Sequence, residues 1–454
     1  MIMLKSVRLI NPATRTDEIC DILIAEQKVI KIGEALALDA RLIARAKGEV
    51  LRVLDCSGLC AAPGLVDGHV HFRDPGQTHK EEIATGAGAA AAGGFTSVVC
   101  MANTIPTIDN EETIVSVIRK GRMTPIHVYC CAAVTKGLQG KELVDMKLMK
   151  ECGAVGFTDD GRPLLGEELV KEAMSRARRL KLPLSFHEED PRFVKDPGVN
   201  SGPAAERLGL TGADRRAEIE MVERDCRLAG ETGATVVIQH ISAAESVEIV
   251  RKAKRAGVRV FAEATPHHFS LTEEAVSLYG SNAKMNPPLR TEADRGAIIE
   301  GLKDGTIEMI ATDHAPHAKN EKDRPFREAP SGIIGLETAF SLGLMNLVEP
   351  GHLTLLQLIS RMSTEPAKLY GLDAGVIRED APADLILFDT ERRWAYLAPK
   401  SKSTNSPWLG KSLKGKILLT LCGGRVAHED TQTLAPRWLP TGTRMKPDEL
   451  LTND

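Results

Sequence analysis

Between residues 61 and 372 of this 454-residue chain, short β-branched runs alternate with longer stretches of helical period, which points to an α/β fold built on a parallel sheet. Eight runs qualify as strands: 65–72, 95–102, 126–133, 154–158, 184–187, 235–240, 258–262 and 309–312. Between the fourth and the fifth, the segment 167–182 sets Leu169, Ala173, Ala177 and Leu180 on one face at helical spacing, with Lys171, Arg178 and Arg179 elsewhere on the cylinder. Parallel strands need such a crossover. Eight βα units are best satisfied by a closed (β/α)8 barrel of the TIM type, although the pattern also admits a large doubly wound sheet.

The two ends of the chain have a different texture. Residues 1–60 carry strand-like runs (KSVRLINPAT, CDILIAEQKVIKIG, EVLRVLDCSG), and 373–430 return to it with ADLILFD and GKILLTLCGGRVAHE around the turn Gly423-Gly424. The expectation is one small β domain assembled from both ends, 1–60 and 373–430, flanking the barrel at 61–372. A tail follows at 431–454, and its polar end from 441 onward should be loosely ordered.

Charge and cysteine usage narrow the function classes. Acidic residues number 62 against 58 Lys and Arg, a net charge of −4, and the two signs are interspersed, so nucleic acid is not an expected partner. The nine cysteines form no C-x-x-C pair and read as buried reduced thiols. MIMLKSVRLINPATR has no signal-peptide pattern, and no run reaches the ~18 apolar residues of a membrane span, so the cytoplasm is the expected compartment and a membrane is not an expected partner.

The residues that carry chemistry fall where the strands end. In the run Gly64 to Arg73, His69 and His71 alternate with Val70, so on a strand both point the same way and can hold one ion between them. His187 and His240 each close an apolar run, and Asp160 and Asp313 follow theirs in the same manner. Histidine and carboxylate thus gather at the carboxyl ends of five strands, the face where barrel enzymes build their sites. Four histidines and a shared carboxylate suit two zinc-like ions, which together lower the pKa of a bridging water towards ~7. Asp313 would then relay a proton from that water to the leaving nitrogen.

Asp159 competes with Asp160 for the metal-facing place, and one of the two would simply cap the turn before Gly161. His267 and His268 end a further run and are ligand candidates on spacing alone. ATGAGAAAAGG at 84–94 lacks strand–G-x-G-x-x-G–helix grammar and reads as a helix of small residues packed closely on the barrel. The charged segment 317–330, directly after the eighth strand, reads as a solvated loop or a lid.

Taken together, the motifs resemble the amidohydrolase superfamily and, within it, the dihydroorotases of the first bacterial class. D-G-H-V-H-F-R-D-P-G-Q-T-H-K at 67–80, M-A-N-T-I-P-T at 101–107, F-T-D-D-G at 157–161, T-P-H-H at 265–268, M-N-P-P-L-R at 285–290 and A-T-D-H-A-P-H at 311–317 carry the likeness, which spans roughly 1–430. The resemblance implies reversible cyclisation of N-carbamoyl-L-aspartate to L-dihydroorotate with loss of water, a step of pyrimidine biosynthesis, by a bridging hydroxide on two divalent ions. It implies that His69 and His71 hold the first ion and His187 and His240 the second, that Asp160 bridges them, and that Asp313 is the general acid/base. Arg73 and Asn103 would hold the free carboxylate of the substrate, with Asn286 and His317 nearby, while His267 and His268 would take supporting roles. The residues agree, because a guanidinium two residues beyond His71 lies on the same strand face and offers a planar fork for a carboxylate.

Two other functions stay in view. Hydantoinases and allantoinases share the fold and the H-x-H pair but place a carboxylated lysine at the bridge, where this chain has Phe-Thr-Asp-Asp-Gly. An inactive relative would serve as scaffold for aspartate transcarbamoylase, yet such proteins lose metal ligands and none of the expected ones is missing here. A homo-oligomer or a transcarbamoylase complex is compatible with catalysis, and the ligand types leave zinc, cobalt and manganese open, with zinc expected.

Overall fold

The computed structural model describes residues 1–440; the polar segment 441–454, expected to be loosely ordered, lies outside the described residues. The first five strands are β1 (Ile2–Asn11), β2 (Thr16–Ala25), β3 (Lys28–Gly33), β4 (Arg52–Asp55) and β5 (Cys60–Pro63). Eight short parallel strands follow: β6 (Leu65–Val70), β7 (Phe95–Cys100), β8 (His127–Cys130), β9 (Phe157–Thr158), β10 (Leu184–Phe186), β11 (Val236–Ile238), β12 (Val260–Ala264) and β13 (Met309–Ile310). They pair in chain order as two ladders, β6-β7-β8 and β9 through β13. Parallel bridges Ala132↔Phe157 and Val70↔His314 join the ladders, so the sheet closes into a barrel and the doubly wound alternative falls away. Asp67 fixes the closing seam. Its carboxylate accepts from the Thr312 backbone N–H at 3.2 Å and from that of His69 at 3.0 Å.

The crossover predicted at 167–182 is a helix over Glu167–Leu180. Its deeply buried face is Val170, Ala173, Met174 and Ala177, whereas Leu169 and Leu180 are only partly buried at the edge of the core. The helix Ile83–Ala92 comes close to the barrel because its residues are small: a Cβ on Gly86 would lie 2.4 Å from the Phe72 ring.

Strands β14 (Leu385–Ala395), β15 (Ser412–Cys422) and β16 (Arg425–Glu429) join the N-terminal strands in one sheet of order β16-β15-β14-β5-β1-β2-β3, with β4 on β1. The seam between the two ends of the chain is the antiparallel β5–β14 ladder, Leu385↔Pro63 to Phe388↔Cys60. Alternation along β14 makes it a two-faced strand. Leu385 and Leu387 enter the core of this sheet with Leu4, Ile22 and Leu419, while Ile386 and Phe388 face the barrel core. There Phe388 meets Phe340 edge-on at 4.8 Å, a contact worth about 0.5–1.5 kcal/mol beyond burial.

Candidate active site

The upper ends of the barrel strands supply the chemistry. His69 is the penultimate residue of β6 and His71 lies one step past its end; their rings meet edge-on at 5.3 Å. Gly68 is needed between Asp67 and His69, because a Cβ there would stand 2.9 Å from the Tyr370 ring. His187 follows β10, and His240 lies two residues beyond β11, with the His187 Nδ1 and His240 Nε2 atoms 2.9 Å apart. Asp160 lies among all of them. Its oxygens are 3.5 Å from His69 Nε2, 3.5 Å from His71 Nε2 and 3.7 Å from His187 Nδ1.

These five residues form two potential ligand sets, His69–His71–Asp160 and Asp160–His187–His240, which share the carboxylate. An observation tests whether metal suits them. His69 Nε2 is buried without a hydrogen-bond partner and points at two carboxylates, 3.5 Å from Asp160 and 3.6 Å from Asp313. A lone pair left unpaired in a dry site is costly, and a cation between these groups would engage it. Burial lowers His69 and His187, but the carboxylates beside them, Asp160 and Glu263 for His69 and Glu189 and Asp160 for His187, outweigh it and raise both above the ordinary imidazole value. Burial pushes the Asp160 carboxyl up, but the imidazoles of His69, His71 and His187 around it outweigh this and hold it well below the usual carboxylate range. Burial, together with His187 and His69, keeps His240 well below the ordinary imidazole value and hence neutral, as a ligand must be.

A cavity of about 220 Å³ opens above the cluster, and Arg73, Asn103, Asn286, Asp313 and His317 all line it. Asp313 Oδ1 is 3.0 Å from His71 Nε2. Arg73 arrives by a route the sequence did not suggest: β6 stops at Val70, and Arg73 adopts φ of 58°, so it is not on the strand face of His71. Its Nε donates to the Pro316 carbonyl at 3.2 Å. Asn103 is already engaged, with Oδ1 2.9 Å from His71 Nδ1 and Nδ2 donating to Asp160 Oδ2 at 2.9 Å. Asn286 donates to Glu189 at 3.0 Å, and His317 Nε2 contacts the Ser331 carbonyl at 2.8 Å.

A family profile described as dihydro-orotase-like matches residues 58–246. A curated dihydroorotase from Clostridioides difficile is 55% identical over 428 residues, covering 94% of this chain and all of the relative. One from Clostridium acetobutylicum is 48% identical over 432 residues, covering 95% of this chain and again the whole relative. The chain belongs to the dihydroorotase family. Among solved structures, an L-hydantoinase (dihydropyrimidinase) from Arthrobacter aurescens matches with a TM-score of 0.83 at 23% identity over 94% of this chain and 96% of its own, a likeness of fold.

Within this family fold, the adjacent carboxylates separate cleanly. Asp159 turns away to cap a loop, accepting from the Val134 N–H at 2.7 Å, the Thr135 N–H at 3.1 Å and the Thr135 hydroxyl. His267 and His268 sit on a short helix, Pro266–Ser270, outside both ligand sets; His268 Nδ1 is 2.7 Å from the Thr265 hydroxyl and its Nε2 is 3.1 Å from the Pro287 carbonyl. The segment 317–330 leaves the cavity lining at His317 and returns to it at Ser331, held by Lys284, which donates to the Phe326 carbonyl, and by buried Lys322, which donates to those of Pro330 and Gly332.

Two acidic residues escaped the sequence reading. Glu263, on β12, stands 3.1 Å from His69 Nδ1, and Glu189 is 3.6 Å from His187 Nε2. A signal for Glu263 was available: a lone carboxylate inside the buried run Val-Phe-Ala-Glu-Ala needs a partner.

Proposed function

We propose that this chain is a dihydroorotase that interconverts N-carbamoyl-L-aspartate and L-dihydroorotate. The observation that supports it most is the single carboxylate, Asp160, shared by two histidine pairs beside a cavity lined by Arg73 and Asp313. His69, His71, Asp160, His187 and His240 would hold two divalent ions, and zinc is the ion we assign. When bound, such ions supply water activated for attack at neutral pH and polarise the carbonyl under attack.

The protein's own groups do the rest. Arg73 pairs with the free carboxylate of the substrate and so sets which face of the ring amide meets the nucleophile. Asn103 shares that wall and, through its contacts, keeps His71 and Asp160 in orientation. His317, whose Nε2 lies 3.4 Å from Arg73 Nη2, stands beside that guanidinium, and Asn286 also lines the cavity. In hydrolysis Asp313 accepts a proton from the attacking water and returns it to the ring nitrogen as the C–N bond breaks. In cyclisation it protonates the departing oxygen, which leaves as water. Glu189 and Glu263 orient His187 and His69.

Among the described residues no lysine lines the cavity, which favours this reading over a hydantoinase with a carboxylated lysine. The nine cysteines are unpaired, as a reducing cytoplasm would keep them. A complex with aspartate transcarbamoylase or a second copy would add to catalysis, since the ligand set is complete. The test is turnover of dihydroorotate, hydantoin and allantoin side by side on one zinc-loaded preparation of measured metal content. Dihydroorotate should dominate at about two ions per chain, and His187→Ala or His240→Ala should empty one position. Faster hydantoin turnover, or an active protein devoid of metal, would overturn the assignment.

A further inference from the structure

At the opposite end of the barrel, three donors of different chemistry converge from distant parts of the chain. His127 opens β8, Asp384 immediately precedes β14 and Cys422 closes β15. One ligand atom from each lies within 4.8 Å of the others. His127 Nε2 is 3.0 Å from Asp384 Oδ2, Asp384 Oδ1 accepts from the Gly423 N–H at 2.5 Å, and Cys422 Sγ rests 3.7 Å from the Thr96 carbonyl. His127 and Cys422 also line a cavity of about 770 Å³ where the barrel's lower end meets the sheet.

We propose that His127, Asp384 and Cys422 form a further cation site for a borderline-soft divalent ion such as zinc, with a fourth position open to the adjoining cavity. An imidazole, a carboxylate and a thiol are the three protein ligand types that zinc accepts. Tetrahedral bonds of about 2.0–2.3 Å put ligand atoms roughly 3.3–3.8 Å apart, so shifts of about 1 Å convert the present spacing into coordination. A His127–Asp384 ion pair explains two of the groups and leaves the Cys422 thiol with only its weak hydrogen bond to the Thr96 carbonyl. An ion uses all three and ties β8 to both β14 and β15. The site lies at the starting end of β8, away from the mouth, so its task is to fasten the barrel to the sheet.

The metal-free full-length protein titrated with cobalt(II) distinguishes this site from the mouth, whose proposed ligands include no sulfur. Wild type should develop a near-ultraviolet sulfur-to-cobalt charge-transfer band, because a coordinating thiol is deprotonated. Cys422→Ser should abolish the band, and the milder change His127→Gln, at a partly exposed position, should weaken it. Cys152→Ser, which alters another thiol lining the same cavity, and the double variant His187→Ala/His240→Ala should both keep it. Zinc should raise the melting temperature of wild type further than that of Cys422→Ser. Absence of the band in wild type, or its survival in Cys422→Ser, overturns the proposal. The outcome is independent of dihydroorotase turnover.

Discussion

At the mouth of the barrel, charged and polar side chains are buried against one another, two histidine nitrogens, His69 Nε2 and His317 Nδ1, have no hydrogen-bond partner, and three residues hold left-handed backbone: Arg73 at φ 58°, His240 at 29° and Asp313 at 47°. At the other end, where the sheet packs beneath the strands, Phe95, Ile386, Phe388 and Ile417 interlock as ordinary apolar core. Left-handed backbone at a non-glycine residue costs of order 1–3 kcal/mol and persists only where the surroundings over-determine it. A fully buried Phe388 or Ile386 returns about 1.5–3 kcal/mol each. The mouth is therefore held in a geometry it would not choose alone, and the sheet end supplies the stability that lets it stay.

The sharpest test of that division is Asp313→Asn. If Asp313 moves a proton and does not bind metal, the variant keeps its fold and its ions yet loses about 10²–10⁴-fold in turnover in both directions. Metal content and both rates must come from one preparation. Loss of metal in step with activity would make Asp313 a ligand, to be grouped with its neighbour His71.

Arg73→Lys should come next. A point charge cannot replace the fork, so binding of dihydroorotate and carbamoyl-aspartate should weaken by about 1.5–3 kcal/mol, with thermal stability little changed. Unchanged KM and kcat would remove Arg73 from the site. Glu263→Gln is a smaller and more indirect lesion: its shape is kept, but the hold on His69 weakens, and metal affinity should fall roughly 10–100-fold. Equilibrium dialysis against zinc reads this directly, and lost activity should return at high zinc. Activity that stays lost at saturating zinc would assign Glu263 a role other than orienting the ligand.

How far the sequence reached follows the same division. The eight strands were legible because β-branched runs bounded by helical period have few other uses, and the ligands because each sat at a strand end. Strand length was not: β9 and β13 keep only two residues each, since neighbouring loops bend away to carry Asp160 and Asp313. The path of Arg73 was hidden too, because a left-handed residue after a strand leaves no mark in the pattern. At the other end, His127, Asp384 and Cys422 share no spacing, and only the closure of β14 and β15 on the barrel brings them together.

The smallest effect concerns the strap over 396–406, which backs the mouth: Asn405 donates to the Ala315 and Gly332 carbonyls, and Glu337 clasps the strap by accepting from the Lys400 N–H at 2.9 Å and from that of Ser401 at 3.3 Å. Burial pushes the Glu337 carboxyl up to about 7, and the hydrogen bonds from Lys400, Ser401 and Tyr396 only partly offset it. Its pKa is therefore higher folded than unfolded, and the native state binds more protons than the unfolded state between about 4.5 and 7. The stability this group contributes is fully present below that window and is lost as pH rises through it. Glu337→Gln removes the titration while keeping the shape, so the urea midpoint of the variant should decline less than that of wild type from pH 4.5 to 7. Other buried carboxyls, such as Asp67, which titrates at about 7, act equally in both proteins and cancel in the difference. Turnover at pH 8, per bound metal, should be the same for the two. A variant that matched wild type in pH slope would show that Glu337 stays ionised in the fold. One that lost turnover instead would move the strap from the supporting side of the comparison to the catalytic side.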